Sequence, residues 1–561
     1  MKKVIKLLLF SVLFLSLHFV VAQNTITGVV SDNEGLPLPG ATIVVEGTTT
    51  GVTTDFDGNF SINAEEGDTL NISYVGYQSQ SIVVDNQDTI SISLKQGTEL
   101  EEVVVTSLGI KREAKALGYA VQSVSTEDIA DSGAISAIDA MVGKIAGVQI
   151  TRSSGSVGGG SRILIRGVTS MIGNNQPLIV IDGVRTNNES LNSGGSTSGT
   201  SVSNRLMDLN NEDIASINVL KGAAATALYG TSGSAGVIVI TTKKGTKSPK
   251  ININFSSEVH SSEITSMIAL QSKYAQGSRG KYRDPSTGNS GSWGPKMTDL
   301  EYQTGQGNVP STIDVRSSAF DSDGNYLFDK NGYLVPKGSG NGSAAIVHDN
   351  VNPFFQTALG YKNNISIDGG SDIATYRFSA SALKAEGVVP KEDYNRKTFN
   401  LSSTLNASDK LSITTSLNYI RSKNTRIQQG SNTSGLLLGM LRTPVSFDNT
   451  NGLGAEAAVN DPSAYIFGSG KQRNYRGGGG YDNPYWIINN ALRSENANRT
   501  FGSFQLAYNE NQWLNVNLNV GADFTSDIRK QNFETRRKLC LDAQNNSGEH
   551  QTSFSDAFET T

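Results

Sequence analysis

The sequence predicts a mainly β protein with three successive regions: a small sandwich, an α+β domain and an antiparallel sheet built to cross a membrane. Three observations predict it. Hydrophobic residues make up 37 % of the 561 positions and alternate with polar residues more often than they cluster, the period of two expected of strands. Turn signals rich in glycine, which totals 59 residues, punctuate the chain. Beyond the first residues no run approaches the roughly 18 apolar positions of a spanning helix, so any membrane-crossing part must be a β-barrel.

Lys2, Lys3 and Lys6 precede an apolar core over residues 7–21, and Val21-Ala22-Gln23 offers a small-residue cleavage point. This is the pattern of an export signal over residues 1–22, with Ala22 and Gln23 flanking the cut. Read instead as an anchor, the run is short against the ~20 residues needed to span a bilayer. The formal net charge of −5 offers no basic field for nucleic acid. Cys540 is the single cysteine, and His18, His260, His348 and His550 lie far apart, so neither a disulfide framework nor a metal site is expected.

Residues 23–97 read as the sandwich, with strands at 25–31, 41–46, 59–62, 69–74, 79–84 and 89–94. Gly35, Pro37, Pro39-Gly40, Asp57-Gly58 and Gly76 mark the turns. Asp55-x-Asp57-Gly58 has a calcium-loop flavour, but Ala64 stands where such a loop needs its Glu, so a hairpin turn is expected. The phrases Gly35-Leu36-Pro37-Leu38-Pro39-Gly40-Ala41 and Thr54-Asp55-Phe56-Asp57-Gly58-Asn59-Phe60 resemble the carboxypeptidase-regulatory-like domain, an accessory sandwich and not an enzyme.

Residues 98–109 form a linker in which Glu101-Glu102 leads into Val103-Val104-Val105-Thr106. The β-branched run is either one more sandwich strand or an extended segment that adds to the edge of a partner's sheet. Over residues 110–246 alternating apolar strands accompany two expected helices, at 136–146 and 223–229. The glycine-rich stretches at Gly158-Gly159-Gly160 and Gly194-Gly195 read as flexible loops. Neither a phosphate loop nor a nucleophile elbow occurs, so no catalytic residue, enzymatic activity or cofactor is expected.

Ser107-Leu108-Gly109-Ile110-Lys111-Arg112-Glu113 resembles the opening of SusC/RagA-type TonB-dependent outer-membrane receptors. Arg162-Ile163-Leu164-Ile165-Arg166-Gly167, Pro177-Leu178-Ile179-Val180-Ile181-Asp182-Gly183-Val184 and Glu212-Asp213-Ile214-Ala215-Ser216-Ile217 resemble their plug domain, in the expected order. Leu228-Tyr229-Gly230 and Gly236-Val237-Ile238-Val239-Ile240 complete the series. The resemblance makes Glu102, Val103, Val104, Val105 and Thr106 the TonB-binding box.

From residue 247 the strands carry one apolar and one small polar face. Leu411, Ile413, Leu417 and Tyr419 alternate with Ser412, Thr414, Ser416 and Asn418, and Leu514, Val516, Leu518 and Val520 with Asn515, Asn517 and Asn519. Lipid outside and water inside demand this alternation. A soluble sandwich would show it inverted. About seven strands are expected over residues 247–535, at 251–256, 364–368, 375–385, 398–406, 411–419, 503–508 and 514–520. A plugged barrel has about 22. Residues 536–561 read as an atypical tail without strand pattern, which predicts abnormal termination near Phe533.

The resemblance implies TonB-dependent import of a large nutrient, a glycan or peptide, across the outer membrane. The inner-membrane TonB complex, a SusD-like surface lipoprotein and outer-membrane lipid are the implied partners. Tyr282, Trp293, Tyr302, Tyr481 and Trp486 are the substrate-contact candidates, with girdle or packing roles as the alternative. Two further readings of the chain are a non-functional product of a disrupted importer gene and an exported binding module that does not transport.

Overall fold

The computed structural model describes residues 24–560 outside 34, 47, 49, 65–66, 75–76, 86–88, 96–102, 106–110, 114–120, 131, 153, 173–174, 187, 189–202, 223–226, 304–330, 429–434, 468–471, 477–481, 512 and 534–548. The expected leader, with Ala22 and Gln23, lies outside this range. Two units partition the chain: Met1–Val103 with Glu113–Ala116, and Val104–Arg112 with Leu117–Thr561.

The first unit holds seven strands: β1 (Asn24–Asp32), β2 (Thr42–Val45), β3 (Gly51–Thr53), β4 (Asn59–Ala64), β5 (Thr69–Ser73), β6 (Gln80–Val83) and β7 (Thr89–Leu94). They form two sheets, β4-β1-β7 and β3-β2-β5-β6. All six expected strands are present, and β3 is an addition, with Val52 opposite Ile43. Alternation in β4 buries Phe60, Ile62 and Ala64 and exposes Asn59, Ser61 and Asn63. Ile26, Val30, Ile43, Phe60, Leu70, Ile72 and Ile92 make one apolar core. Gly28 cannot be replaced there, because a Cβ would lie 2.2 Å from the Ile90 carbonyl oxygen. Asp55 accepts hydrogen bonds from the Asp57 N–H at 3.0 Å and the Asn59 N–H at 2.8 Å, the geometry of an Asx turn. It links β3 to β4, which lie in different sheets, so it is a crossover between sheets and not the hairpin turn expected.

In the linker, β8 (Val103–Val105) pairs with β9 (Lys111–Glu113) as a two-stranded ribbon. The segment joins no sandwich sheet, so it is not the last sandwich strand. A connection as short as 106–110 permits only antiparallel pairing.

The plug carries β10 (Val121–Ser125), β11 (Val148–Arg152), β12 (Ser161–Ile165), β13 (Leu178–Ile181), β14 (Val184–Thr186), β15 (Ile214–Leu220) and β16 (Val237–Thr242). Five of these form a mixed sheet in the order β10-β15-β16-β13-β14, and β11 pairs with β12. Ile129, Ile138, Ile163, Ile179, Ile217, Ile238 and Ile240 fill its core. The helix expected at 136–146 begins where predicted, with the Ser136 hydroxyl accepting the Asp139 N–H, but spans only Ala137–Ala140. Gly143, at φ +76°, turns the chain soon after. Of the helix expected at 223–229, residues 223–226 lie outside the described range. Ala227–Gly233 is 3₁₀ and kinked at Gly230, whose φ of +64° no α-helix accommodates. A short helix at Thr126–Ala130 was not expected; the Ser125 hydroxyl caps it by accepting the Asp128 N–H and donates to the Asp128 carboxylate.

The wall begins with β17 (Asn252–Ser262). Four short strands follow in the first long loop, β18 (Gly277–Ser278), β19 (Lys281–Tyr282), β20 (Leu300–Tyr302) and β21 (Leu334–Pro336). Then come β22 (Ala358–Gly370), β23 (Ala374–Glu386), β24 (Asp393–Ser408), β25 (Leu411–Ile427), β26 (Leu492–Asn511), β27 (Leu514–Phe533) and β28 (Glu549–Thr560). Together β17 and β22 to β28 make one antiparallel sheet of eight neighbours. Seven coincide with the expected strands and outrun them. The eighth corrects the expectation for residues 536–561, because β28 pairs with β27 from Phe533↔Glu549 to Ala522↔Thr560. A ladder needs backbone groups, not apolar side chains. In the sequence Phe554 and Phe558 stand four apart with Asp556 between them, so the period-two signal is faint.

The alternation is inside-out relative to a soluble protein. Phe399, Leu401, Leu417, Tyr419, Val516, Leu518 and Val520 are exposed, while Arg396, Thr398, Asn400, Ser402, Asn424 and Arg426 are buried. Connections of two or three residues between β22 and β23, β24 and β25, and β26 and β27 lie at one end, and long connections at 263–357 and 428–491 lie at the other, as in barrels with short periplasmic turns and long extracellular loops. The long loops share an apolar core of Val351, Phe354, Leu436, Met440, Tyr485 and Ile488. Among the described residues no helix is long and apolar enough to cross a membrane.

Candidate functional site

The wall's buried polar face meets the plug, chiefly along residues 203–213. Two 3₁₀ turns, Arg205–Asp208 and Asn211–Asp213, shape this segment and leave carbonyl groups turned away from any ladder. Arg396 of β24 supplies donors, its Nη1 reaching the Met207 oxygen at 2.8 Å and the Leu209 oxygen at 2.6 Å. The Tyr394 hydroxyl donates to the same Met207 oxygen at 3.1 Å.

Charge pairing surrounds these contacts. Arg205 lies 3.2 Å from Asp208, 3.6 Å from Glu495 of β26 and 3.6 Å from Asp527 of β27. Arg529 holds Glu495 at 2.9 Å and Asp527 at 2.7 Å, and Arg426 stands 3.6 Å from Glu495. Three guanidinium groups thus face three carboxylates. Burial alone would lower the Arg205 pKa, but Asp208, Asp527 and Glu495 outweigh it and hold the value above that of an ordinary arginine. At the next step along the wall Lys362 reaches Glu212 at 3.1 Å and Arg377 reaches Asp213 at 3.0 Å. A buried ion pair contributes little net stability when intact, yet removing one partner costs about 3–5 kcal/mol. Such a seam fixes one register and separates only when all its charges are re-solvated together.

Close backbone approach completes the fit. The hairpin joining β13 to β14 turns through Asp182 and Gly183, both at positive φ, as an Asp-Gly two-residue turn requires. A Cβ on Gly183 would lie 2.3 Å from the Asn519 amide nitrogen, and one on Gly521 would lie 2.2 Å from Val184. Gln505 of β26 donates to the Asp182 oxygen at 2.9 Å. The stretch at Gly158, expected as a flexible loop, is instead seated against the wall. Its carbonyl accepts from Arg426, and a Cβ there would lie 2.7 Å from the Tyr394 ring. Gly194 and Gly195 lie outside the described residues. Ile420 and Phe501 stand on the wall's polar face but belong to the plug's apolar core, and Leu383 and Ala385 of that face pack with Ile135 and Val157, exceptions that only the plug explains.

Of the five aromatic candidates, Tyr282 and Tyr302 share one loop cluster, while Trp486 lies against another. Tyr282 packs edge-on against Tyr333 at 5.3 Å, and Tyr302, 3 % exposed, belongs to the same cluster as Met297 and Leu300. Trp293 is 66 % exposed beside Tyr274. Trp486 lies against the other loop core with Tyr485 and Ile488, and Tyr481 lies outside the described residues. Of the coupling candidates, Val103, Val104 and Val105 form β8, while Glu102 and Thr106 lie outside the described residues. Sequence reasoning missed the 203–213 seam. Its readable half was the charge at inward wall positions, Arg377, Arg396, Arg426, Glu495, Arg499 and Asp527.

A model of the CarboxypepD_reg-like domain matches residues 26–105, and one of the TonB-dependent Receptor Plug Domain matches residues 113–237. With the inside-out wall, these matches define the chain's class as a TonB-dependent receptor. The TonB-dependent receptor SusC of Bacteroides thetaiotaomicron is 30 % identical over 529 residues, covering 93 % of this chain and 45 % of that protein. The TonB-dependent receptor P26 of Formosa agariphila is 29 % identical over 529 residues, 92 % of this chain and 44 % of that one. The RagAB peptide importer in its open-open state superposes with a TM-score of 0.56 at 20 % identity, over 82 % of this chain and 46 % of that chain. Within the class, the chain is similar to the SusC-type receptors over nearly its whole length. It spans less than half the length of the curated relatives it matches.

Proposed function

We propose that this chain serves TonB-dependent import of a large nutrient, an oligosaccharide or a peptide, across the outer membrane. The observation that carries this reading is the plug's 203–213 segment held on the polar face of an inside-out wall, an arrangement suited to a gate. An exported chain cleaved between Ala22 and Gln23 would reach the outer membrane. There the exposed Leu, Val and Phe side chains of β24 to β27 would face lipid. The inner-membrane TonB complex would grip residues 102–106, and a SusD-like lipoprotein would cover the loop ends.

An open sheet cannot sit in hydrocarbon, because each unpaired backbone group would cost several kcal/mol. Among the described residues the outer edges of β17 and β28 have no partner strand, so the transporting state pairs those edges with further strands. The test is uptake of labelled oligosaccharide and peptide mixtures by cells carrying or lacking the gene, with and without an intact TonB system. Uptake that persists without TonB, or that is the same in both cells, rejects the reading.

A further inference from the structure

We propose that the coupling segment meets its partner as one edge of a preformed two-stranded ribbon, with β9 as the positioning strand, and not as a free strand. This rests on the reading of residues 102–106 as the TonB contact. Sheet β8–β9 has no third member among the described residues, so β9 covers one edge of β8 and leaves the other open. An open edge presents a row of N–H and C=O groups that templates an added strand.

The two outer edges of the ribbon are chemically unequal. Val103-Val104-Val105 is wholly β-branched, the composition that favours pairing. Lys111-Arg112-Glu113 is wholly charged, the composition that blunts an edge against pairing. The incoming strand is therefore directed to β8. Its chemistry is that of a protein edge strand, the partner that the TonB-dependent plug match calls for.

The ribbon also occupies a telling place in the chain. The sandwich match ends at residue 105, the last of β8, and the plug match begins at residue 113, the last of β9. A strand held on β8 thus grips a unit whose second strand runs into the plug. Two short strands alone are marginal in water. A third completes a stable sheet, so binding and ribbon formation reinforce each other.

The test uses the full chain and an immobilised TonB C-terminal domain, comparing the parent with Val104→Pro, Lys111→Pro and Arg112→Pro. Successive N–H groups along a strand point to opposite edges, so one of the two β9 variants removes a donor from the β8–β9 ladder. Val104→Pro should abolish capture. The ladder-breaking β9 variant should weaken it about tenfold, the loss of roughly one backbone hydrogen bond, although residues 102–106 are untouched. Amide exchange at residues 103–105 of the unbound chain should also quicken in that variant, and Arg112→Ala, which keeps its N–H, should bind like the parent. If both β9 proline variants bind as tightly as the parent or tighter while Val104→Pro does not bind, the ribbon proposal is overturned and the segment acts free. Undiminished capture by Val104→Pro would instead remove the TonB-contact reading, and the ribbon with it.

Discussion

The plug has two boundaries of opposite chemistry. Its core is dry, with Ile138, Ile163, Ile217, Ile238 and Ile240 almost fully buried. Its seam with the wall is made of guanidinium, carboxylate and carbonyl groups, centred on Arg205, Arg396, Glu495 and Asp527. Apolar contacts favour the folded plug wherever it goes, because water is a poor alternative partner for them. Polar contacts are specific while made, and water replaces them once they part. A plug built this way separates from its wall more readily than it unfolds.

Four perturbations test these boundaries and the local turn chemistry, in falling order of effect. A charge in the dry core should have the largest effect. Ile238→Asp should destabilise the plug by on the order of 5 kcal/mol, seen as loss of its protease-resistant fragment. In the seam, Arg205→Ala leaves Asp208, Glu495 and Asp527 facing one guanidinium fewer. It should weaken plug–wall contact by about 3–5 kcal/mol. Hydrogen exchange should then rise over residues 203–213 and stay slow in β13 and β16. Equal rises in both regions would mean that the boundaries are not separable.

A smaller loss is expected for Arg396→Lys, which keeps the charge and gives up the planar fork. Weakening its contacts to Met207 and Leu209 should cost about 1–2 kcal/mol by the same exchange measurement. The smallest effect concerns the Asx turn of the sandwich. The Asn59 N–H beside Asp55, helped by the Asn59 side chain, holds the carboxyl below its ordinary value of 3.8. A depressed folded value means that the contribution is present above that ordinary value and is lost as pH falls through the folded value. The Asp57 and Asn59 amide resonances should therefore shift only in that acid range. Movement at neutral pH would contradict the Asx turn.

Sequence reading succeeded where a single element carries its own signal. Phe60 and Ile62 betray β4 by alternation, and Leu514 to Val520 betray β27. It failed where the deciding partner is remote. Ile420 and Phe501 look like breaks in a polar face until the plug core receives them. Gly158 looks mobile until Tyr394 and Arg426 close on it. The β28 ladder escaped because backbone pairing leaves little trace in side-chain period.

The order of sandwich, linker, plug and wall, the faces of the wall strands and the family resemblance can all be read along the chain. Each depends on short-range period or on local motifs, which one stretch of chain expresses alone. The placing of Arg205 among Asp208, Glu495 and Asp527, and the gathering of Tyr282 with Tyr302 in a loop cluster apart from Trp486, depend on the folded arrangement. Glu495 lies 290 positions from Arg205 in the chain. No local pattern encodes that meeting, because it is fixed by strand register and by where the plug comes to rest against the wall.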